Sequence, residues 1–185
     1  MAAVDDSTVC SLSHVRPARI EPAKWKPPPD HWTKLNIDGS FSSEDGGAGS
    51  GMVLRRHDGS IIISVCRSLW SCPDARHAEL AGCMEGLALA HQWTNLPIIL
   101  ECDSKQAVEM IWSQDQDRSQ YSMVVTEIKR LLGERECSIT HISREQNNVS
   151  HVLAKFGRTE DRTVVWIASG PSNILRLCRE DFLGS

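Results

Sequence analysis

Residues 34–41 of the chain read KLNIDGSF. Leu35 and Ile37 alternate with polar neighbours, which predicts a β-strand with one buried face. The strand reaches Asp38 near its end, and Gly39 has no side chain to keep another backbone at a distance. An acid at the end of a strand, followed by small residues, suits an exposed functional site, but Asp-Gly pairs are more often plain turns.

The composition is that of one ordinary globular domain. The chain has 185 residues, of which 41% are hydrophobic and 24% charged, and its formal net charge is -4. This balance argues against a generally basic nucleic-acid coat and leaves room for a local basic patch. No apolar run has the length of a membrane span, and the N-terminus lacks a signal or transit peptide pattern. We therefore expect an intracellular monomer, in the nucleus or the cytoplasm, without a membrane partner.

The cysteine pattern argues against a zinc site. The chain has seven cysteines, none in CxxC spacing, and its seven histidines supply no substitute spacing. A zinc site usually requires such a pair. Several of the cysteines lie within apolar runs, which predicts reduced, buried thiols that behave as small hydrophobic residues.

The chain divides into three parts. Residues 1–29 show little periodicity and end in three prolines, which predicts an extended leader or linker outside the core. Residues 30–157 carry the elements of one domain: three strands in hairpin succession, a helix, a strand, two helices, a strand and a last helix. This order predicts a mixed sheet with helices packed on it. Residues 158–185 hold one apolar and one amphipathic stretch, and we expect this tail to pack on the domain or to extend it.

Two further acids fall at comparable points. Glu79 lies in the predicted helix 74–93, on a stripe of small residues that we expect to face the sheet. Asp103 lies where the predicted strand 97–101 gives way to a helix. Each acid alone is better explained as a turn or helix-cap residue. Together with Asp38 they form a set of oxygen ligands, which suits Mg²⁺ or Mn²⁺ better than Zn²⁺.

A glycine-rich run covers Gly46 to Gly51. It precedes a predicted strand, and it lacks the lysine and the following helix of a phosphate-binding loop. We interpret it as a flexible loop that would let a nucleic-acid backbone approach.

Four motifs in this order resemble the ribonuclease H family: KLNIDGSF (34–41), AEL (78–80), LECDS (100–104) and REQNNVSHVLA (144–154). They are most similar to the plant reverse-transcriptase-like branch, which is found alone and at the ends of retroelement polyproteins. The resemblance implies an α/β ribonuclease H-like fold, with a five-stranded mixed sheet of strand order 3-2-1-4-5 flanked by helices. It also implies two Mg²⁺ ions, with Mn²⁺ as an alternative, and hydrolysis of RNA paired to DNA.

The resemblance further assigns roles to individual residues. The catalytic and metal-binding set would be Asp38, Glu79, Asp103 and His151, and the nucleic-acid contacts would be Gly39, Ser40, Arg144 and Asn147. The family's fourth acid falls four residues after Asn147, where this chain has His151. A neutral imidazole is a softer ligand and brings no negative charge, which predicts weaker magnesium binding.

Three functions are consistent with these features. A metal-dependent endoribonuclease acting on RNA–DNA hybrids accounts for the ordered acids. A catalytically weak or inactive nucleic-acid-binding or interaction module, derived from a retroelement, accounts for His151 and the acidic net charge. It also accounts for the lack, in the sequence pattern, of a long basic helix that would bind a hybrid. A nuclease for another substrate also fits the fold. The order and spacing of the acids favour the ribonuclease.

Overall fold

Three strands open the fold. In the computed structural model, which describes residues 24–115 and 117–183, they are β1 (Thr33–Phe41), β2 (Ala48–Arg56) and β3 (Ile61–Leu69). β1 pairs antiparallel with β2, and β2 pairs antiparallel with β3. The second hairpin turns at Gly59, whose φ of 78° suits a residue without a side chain. The predicted succession of three strands is confirmed.

Helices and strands then alternate. The elements are α1 (Ala75–Trp93), β4 (Ile98–Cys102), α2 (Lys105–Trp112), α3 (Ser122–Gly133), β5 (Cys137–His141), a 3-10 turn (Arg144–Asn147) and α4 (Asn148–Thr159). The side chain of Asp74 caps α1 by accepting a hydrogen bond from the amide of His77. Ser104 caps α2 in the same way through the amide of Ala107. These local caps explain why the predicted helix starts agree with the structure.

The sheet has six strands in the order β5-β4-β1-β2-β3-β6, where β6 is Val164–Ile167. β1 pairs in parallel with β4, and β4 with β5, so the predicted order of the first five strands is confirmed. The predicted count of five is wrong, because β6 pairs antiparallel with the outer edge of β3. A strand edge presents unpaired backbone groups, and β6 supplies partners for them.

Helices cover both faces of the sheet. On one face the core includes Leu35, Ile37, Met52, Leu80, Leu87 and Ile128. On the other face, α4 and α5 (Ser172–Leu183) pack on β2 and β3, through Val53, Cys66, Val149, Leu153 and Ile174. The described residues include six free cysteines, of which five are buried, so the predicted buried thiols are confirmed for these five. Among the same residues, no helix combines the length and the apolar composition that a membrane span requires.

α4 lies directly against β2 at Gly51. A Cβ at this position would lie 2.2 Å from the carbonyl oxygen of Ser150 and equally close to the amide nitrogen of Ala154. Glycine is therefore required by the approach of a helix. Residues 48–51 belong to β2, so the interpretation of this part of the glycine-rich run as a loop open to nucleic acid is wrong.

Trp25 anchors the segment that precedes β1. Its side chain is 1% exposed, and its ring lies 3.6 Å from the guanidinium carbon of Arg55. Its Nε1–H donates a hydrogen bond to Oδ1 of Asn36 at 3.0 Å. The prediction that residues 1–29 lie outside the core is therefore wrong for Trp25, because this side chain, which precedes the proline run, lies in a buried cation–π contact. Residues 1–23 lie outside the described residues.

Arg55 connects this anchor to the C-terminal helix. Its side chain is buried, and Nη1 donates to Oδ2 of Asp181 in α5 at 2.9 Å. Nη2 donates to Oδ1 of Asn36 at 2.9 Å. One buried guanidinium therefore contacts the segment before β1, the middle of β1 and the last helix.

We expect Trp25→Ala to lower the free energy of unfolding by about 3–5 kcal/mol, the usual cost of truncating a buried large aromatic side chain. The matched control is Trp70→Ala, because Trp70 is 85% exposed. This control should change stability by less than about 0.5 kcal/mol. Urea unfolding followed by circular dichroism measures both. Equally small losses in the two variants would contradict the anchoring role of Trp25.

Candidate active site

Asp38 lies on β1 beside Asp103, which directly follows the neighbouring strand β4. Ile37 of β1 is paired with Cys102 of β4 in the parallel ladder, so the residues that follow them occupy adjacent positions. Asp38 is 0% exposed, and Asp103 is nearly as buried. Two carboxylates therefore meet at the C-terminal end of β4.

α1 brings Glu79 to the same place. Its Oε2 accepts a hydrogen bond from the amide of Gly39 at 3.0 Å and lies 3.7 Å from the thiol of Cys102. A Cβ on Gly39 would lie 2.4 Å from the amide nitrogen of Glu79, so glycine permits the first turns of α1 to contact β1. The backbone amide of Gly39 thus helps to hold the carboxylate of Glu79 in position. Its predicted contact with nucleic acid stays a prediction.

Asn147 fixes the orientation of Asp103. Its Nδ2 donates to Oδ1 of Asp103 at 3.0 Å and to the carbonyl oxygen of Ile37 at 2.7 Å. The hydroxyl of Ser150 donates to Oδ1 of Asn147 at 2.6 Å. Asn147 is 1% exposed, and its predicted contact with nucleic acid stays a prediction. The observed contacts make it a residue that positions Asp103.

His151 and Arg144 complete the cluster on the solvent side. Nδ1 of His151 lies 3.0 Å from Oδ2 of Asp38. Nη2 of Arg144 lies 2.7 Å from the same Nδ1, and Nη1 lies 3.6 Å from Oδ2 of Asp103. The structure therefore brings all four residues of the predicted catalytic set together, with Arg144 beside them.

Burial and mutual repulsion shift the pKa values of this cluster. Burial, followed by the charge of Asp103, raises the pKa of Asp38 to about 8. Burial is also the main cause that raises the pKa of Glu79 well above its usual range. Burial and then the charge of Arg144 lower the pKa of His151, which leaves a neutral imidazole at pH 7. The surroundings of the site thus provide too little positive charge to keep all of its carboxyl groups ionised at neutral pH.

The carboxylates fit a hard divalent cation. Oδ1 of Asp38 is buried without a hydrogen-bond partner in the described part of the chain. Glu79, Cys102 and Asp103 present ligand atoms within 4.8 Å of one another. A hydrogen bond with Cys83 and burial raise the pKa of the Cys102 thiol well above its usual range. A hard cation prefers carboxylate oxygen to sulfur, so the oxygens of the acids are the candidate ligands. A cation held by Asp38, Glu79 and Asp103 would relieve their repulsion and give the buried oxygen a partner.

The remaining predicted residue, Ser40, lies at the border of the site. Its hydroxyl accepts a hydrogen bond from Nε of Arg158 at 2.9 Å. Sequence reasoning missed both Arg158 and His141, whose Nε2 lies 3.3 Å from the carbonyl oxygen of Asp103. His141 is the last residue of β5 and pairs with Cys102. The reasoning that singled out Asp103 at the end of a strand would therefore also have singled out His141. Arg158 gave no such signal, because its contact with β1 depends on the packing of α4.

Comparisons with known proteins identify the family. A model described as reverse transcriptase-like matches residues 36–157. The chain belongs to this family. No curated protein sequence matches it significantly.

Solved ribonuclease H structures share the fold of this reverse transcriptase-like chain. RNase H1 from the archaeon Halobacterium salinarum is 22% identical, with a TM-score of 0.64 over 71% of this chain and 99% of that one. The N-terminal RNase H domain of a Mycobacterium tuberculosis protein is 19% identical, with a TM-score of 0.63 over 70% and 94%. LC11-RNase H1, solved with an RNA/DNA hybrid, is 17% identical, with a TM-score of 0.61 over 70% and 98%. The predicted ribonuclease H-like fold is confirmed.

Asp38→Asn should stabilise the protein in EDTA in a pH-dependent way. Because the pKa of Asp38 is raised from 3.8 to about 8, the folded state keeps a proton that the unfolded state releases between these values. The unfolded state then binds fewer protons, so wild-type stability falls as the pH rises through this range. We expect the Tm of Asp38→Asn minus the Tm of the wild type to rise from about pH 4 to about pH 8 and to stay constant above pH 8.

The matched control is Asp45→Asn in an exposed loop. A hydrogen bond from the amide of Gly47 lowers the pKa of Asp45, so this variant should show no such gain. A Tm difference for Asp38→Asn that stays constant across the range would contradict the raised pKa.

Proposed function

We propose that the chain is a divalent-metal-dependent endoribonuclease that hydrolyses the RNA strand of RNA–DNA hybrids. The observation that carries the proposal is the convergence of Asp38, Glu79 and Asp103 beside the C-terminal end of β4 in a ribonuclease H-like sheet. Two proteins of similar fold, LC11-RNase H1 and a foamy viral protease-reverse transcriptase, have been solved with RNA/DNA hybrids, which supports the substrate class. Because one fold hosts several activities, the acids carry more weight than the fold.

The residues of the site divide into ligands and supports. Asp38, Glu79 and Asp103 would hold two divalent ions, which activate a water molecule and stabilise the departing oxygen in phosphodiester hydrolysis. The amide of Gly39 keeps Glu79 in place, and Asn147 keeps Asp103 in place. The fixed carboxylates would therefore need little reorganisation to receive a cation.

Basic side chains at the border would meet the phosphates. Arg158 lies beside Ser40, and Arg144 has a side chain that is 60% exposed. Contacts of this kind position a nucleic acid without reading its sequence. Such contacts would favour selection by duplex shape over selection by base sequence.

Cleavage of a labelled RNA–DNA hybrid, in Mg²⁺ and separately in Mn²⁺, tests the proposal. We expect the wild type to cut the RNA strand and Asp38→Asn to be at least about a hundredfold slower, because a lost charged ligand costs several kcal/mol of transition-state stabilisation. Asp45→Asn should keep the wild-type rate. Parallel reactions with single-stranded RNA, duplex RNA and duplex DNA define the substrate class. Folded wild type that cuts the hybrid in neither metal would refute the proposal.

Position 151 should control the metal preference. His151→Asp restores a hard, negatively charged ligand, so we expect faster cleavage in Mg²⁺ and a smaller ratio of the Mn²⁺ rate to the Mg²⁺ rate. His151→Asn, which is neutral like the imidazole, should leave the ratio close to that of the wild type. Initial rates at matched metal concentrations give both values. An unchanged ratio in His151→Asp would remove position 151 from the set of metal ligands.

A nucleic-acid-binding module without catalysis is the second candidate. Two observations favour it: position 151 lacks a carboxylate, and Arg144 lies against Asp103. Hybrid binding by wild type and Asp38→Asn with equal affinity, without cleavage by either, would support this alternative.

A further inference from the structure

We propose that Arg144 is a tethered cation that competes with a divalent ion for Asp103, so that the guanidinium must leave Asp103 when the ion binds. The inference rests on the proposed function in that it concerns the same acids. Its subject is metal affinity, which is measurable without cleavage.

The guanidinium of Arg144 spans two members of the cluster. Nη1 lies 3.6 Å from Oδ2 of Asp103, and Nη2 lies 2.7 Å from Nδ1 of His151. The other oxygen of Asp103, Oδ1, already accepts a hydrogen bond from Asn147 at 3.0 Å. An ion that binds Asp103 therefore approaches the oxygen that faces Arg144. Two cations at such short separation repel each other, so they cannot both stay on this carboxylate at low cost.

Arg144 is the partner that is able to move. Its side chain is 60% exposed and extends from a short 3-10 turn. By contrast, the side chain of Asp103 is 6% exposed and accepts a hydrogen bond from Asn147. An ion pair with so exposed an arginine contributes little free energy. Withdrawal of the guanidinium into solvent is therefore inexpensive, and movement of the carboxylate is not.

Glu101 in β4 is a carboxylate whose cation is held differently from that of Asp103. Nζ of Lys34 lies 2.7 Å from Oε1 of Glu101, and both side chains are buried. Nδ2 of Asn36 donates to the other oxygen of Glu101 at 2.8 Å. This carboxylate has a permanent, buried cation, whereas Asp103 has a solvent-facing one at a longer distance. The difference indicates that the cation on Asp103 is exchangeable.

Isothermal titration calorimetry of the full chain with Mn²⁺ tests the proposal. We expect Arg144→Gln to bind Mn²⁺ roughly threefold to tenfold more tightly than the wild type, because the variant loses the competing charge. Arg144→Lys keeps that charge and should stay within about twofold of the wild type. The matched control is Arg176→Gln, which removes an exposed arginine paired with Glu180 in α5 and should leave the affinity unchanged.

Equal or weaker Mn²⁺ binding by Arg144→Gln, with circular dichroism and Tm like those of the wild type, would overturn the proposal. Absence of Mn²⁺ binding in the wild type and in Arg144→Gln would overturn it as well. The outcome is separable from that of the proposed function. A wild type that binds Mn²⁺ without cleaving the hybrid removes only the nuclease, and a wild type that cleaves while Arg144→Gln binds no tighter removes only the competition.

Discussion

The parallel pairing of β1 with β4 is the constraint on which the rest of the site depends. Asn36 lies opposite Glu101, and Ile37 lies opposite Cys102. Because side chains alternate along a strand, this register directs Asp38 and Asp103 to the same face. A slip by one residue would turn one carboxylate into the apolar core and separate the pair. The pairing of the two strands therefore fixes the juxtaposition of the acids before any ligand is considered.

Buried charge is compensated along most of this face and left uncompensated at one end. Lys34 and Asn36 satisfy Glu101, and Arg55 bonds to both Asn36 and Asp181. At the other end, Oδ1 of Asp38 has no partner among the described residues. The fold thus supplies internal partners for most of its buried ionic groups and leaves, at this one end, carboxyl groups whose ionised form has no compensating charge. Such an imbalance is typical of a site that binds a cation rather than of a structural ion pair.

The sequence was most informative where the relevant pattern is local. Asp38 lies in an alternating strand, Asp103 follows an apolar strand, and Glu79 lies on a stripe of small residues, so each could be placed from its immediate neighbours. The contact between Trp25 and Arg55 could not be placed in this way, because it joins a proline-rich segment to the far end of a hairpin. β6 was missed for a related reason, since a four-residue strand has too little alternation and depends on the open edge of β3.

The glycine-rich run was misinterpreted, and the bond from Asn147 to Asp103 was not predicted, because the same residue type serves two physical purposes. Glycine permits a flexible loop, and it equally permits a helix to lie on a strand, as α4 does at Gly51. An amide side chain contacts nucleic acid when exposed and orients a neighbour when buried, as Asn147 does for Asp103. Burial decides between these purposes, and burial is a property of the packed fold.

His151 and Arg144 act on metal binding in the same direction. A carboxylate at position 151 would attract a hard cation, whereas the neutral imidazole adds no charge to the cluster. Arg144 adds a positive charge beside Asp103, which a divalent ion must overcome. The arrangement of Asp38, Glu79 and Asp103 is the same in either proposed function. Metal affinity, rather than the geometry of these acids, is therefore the property that separates a nuclease from a module that only binds nucleic acid.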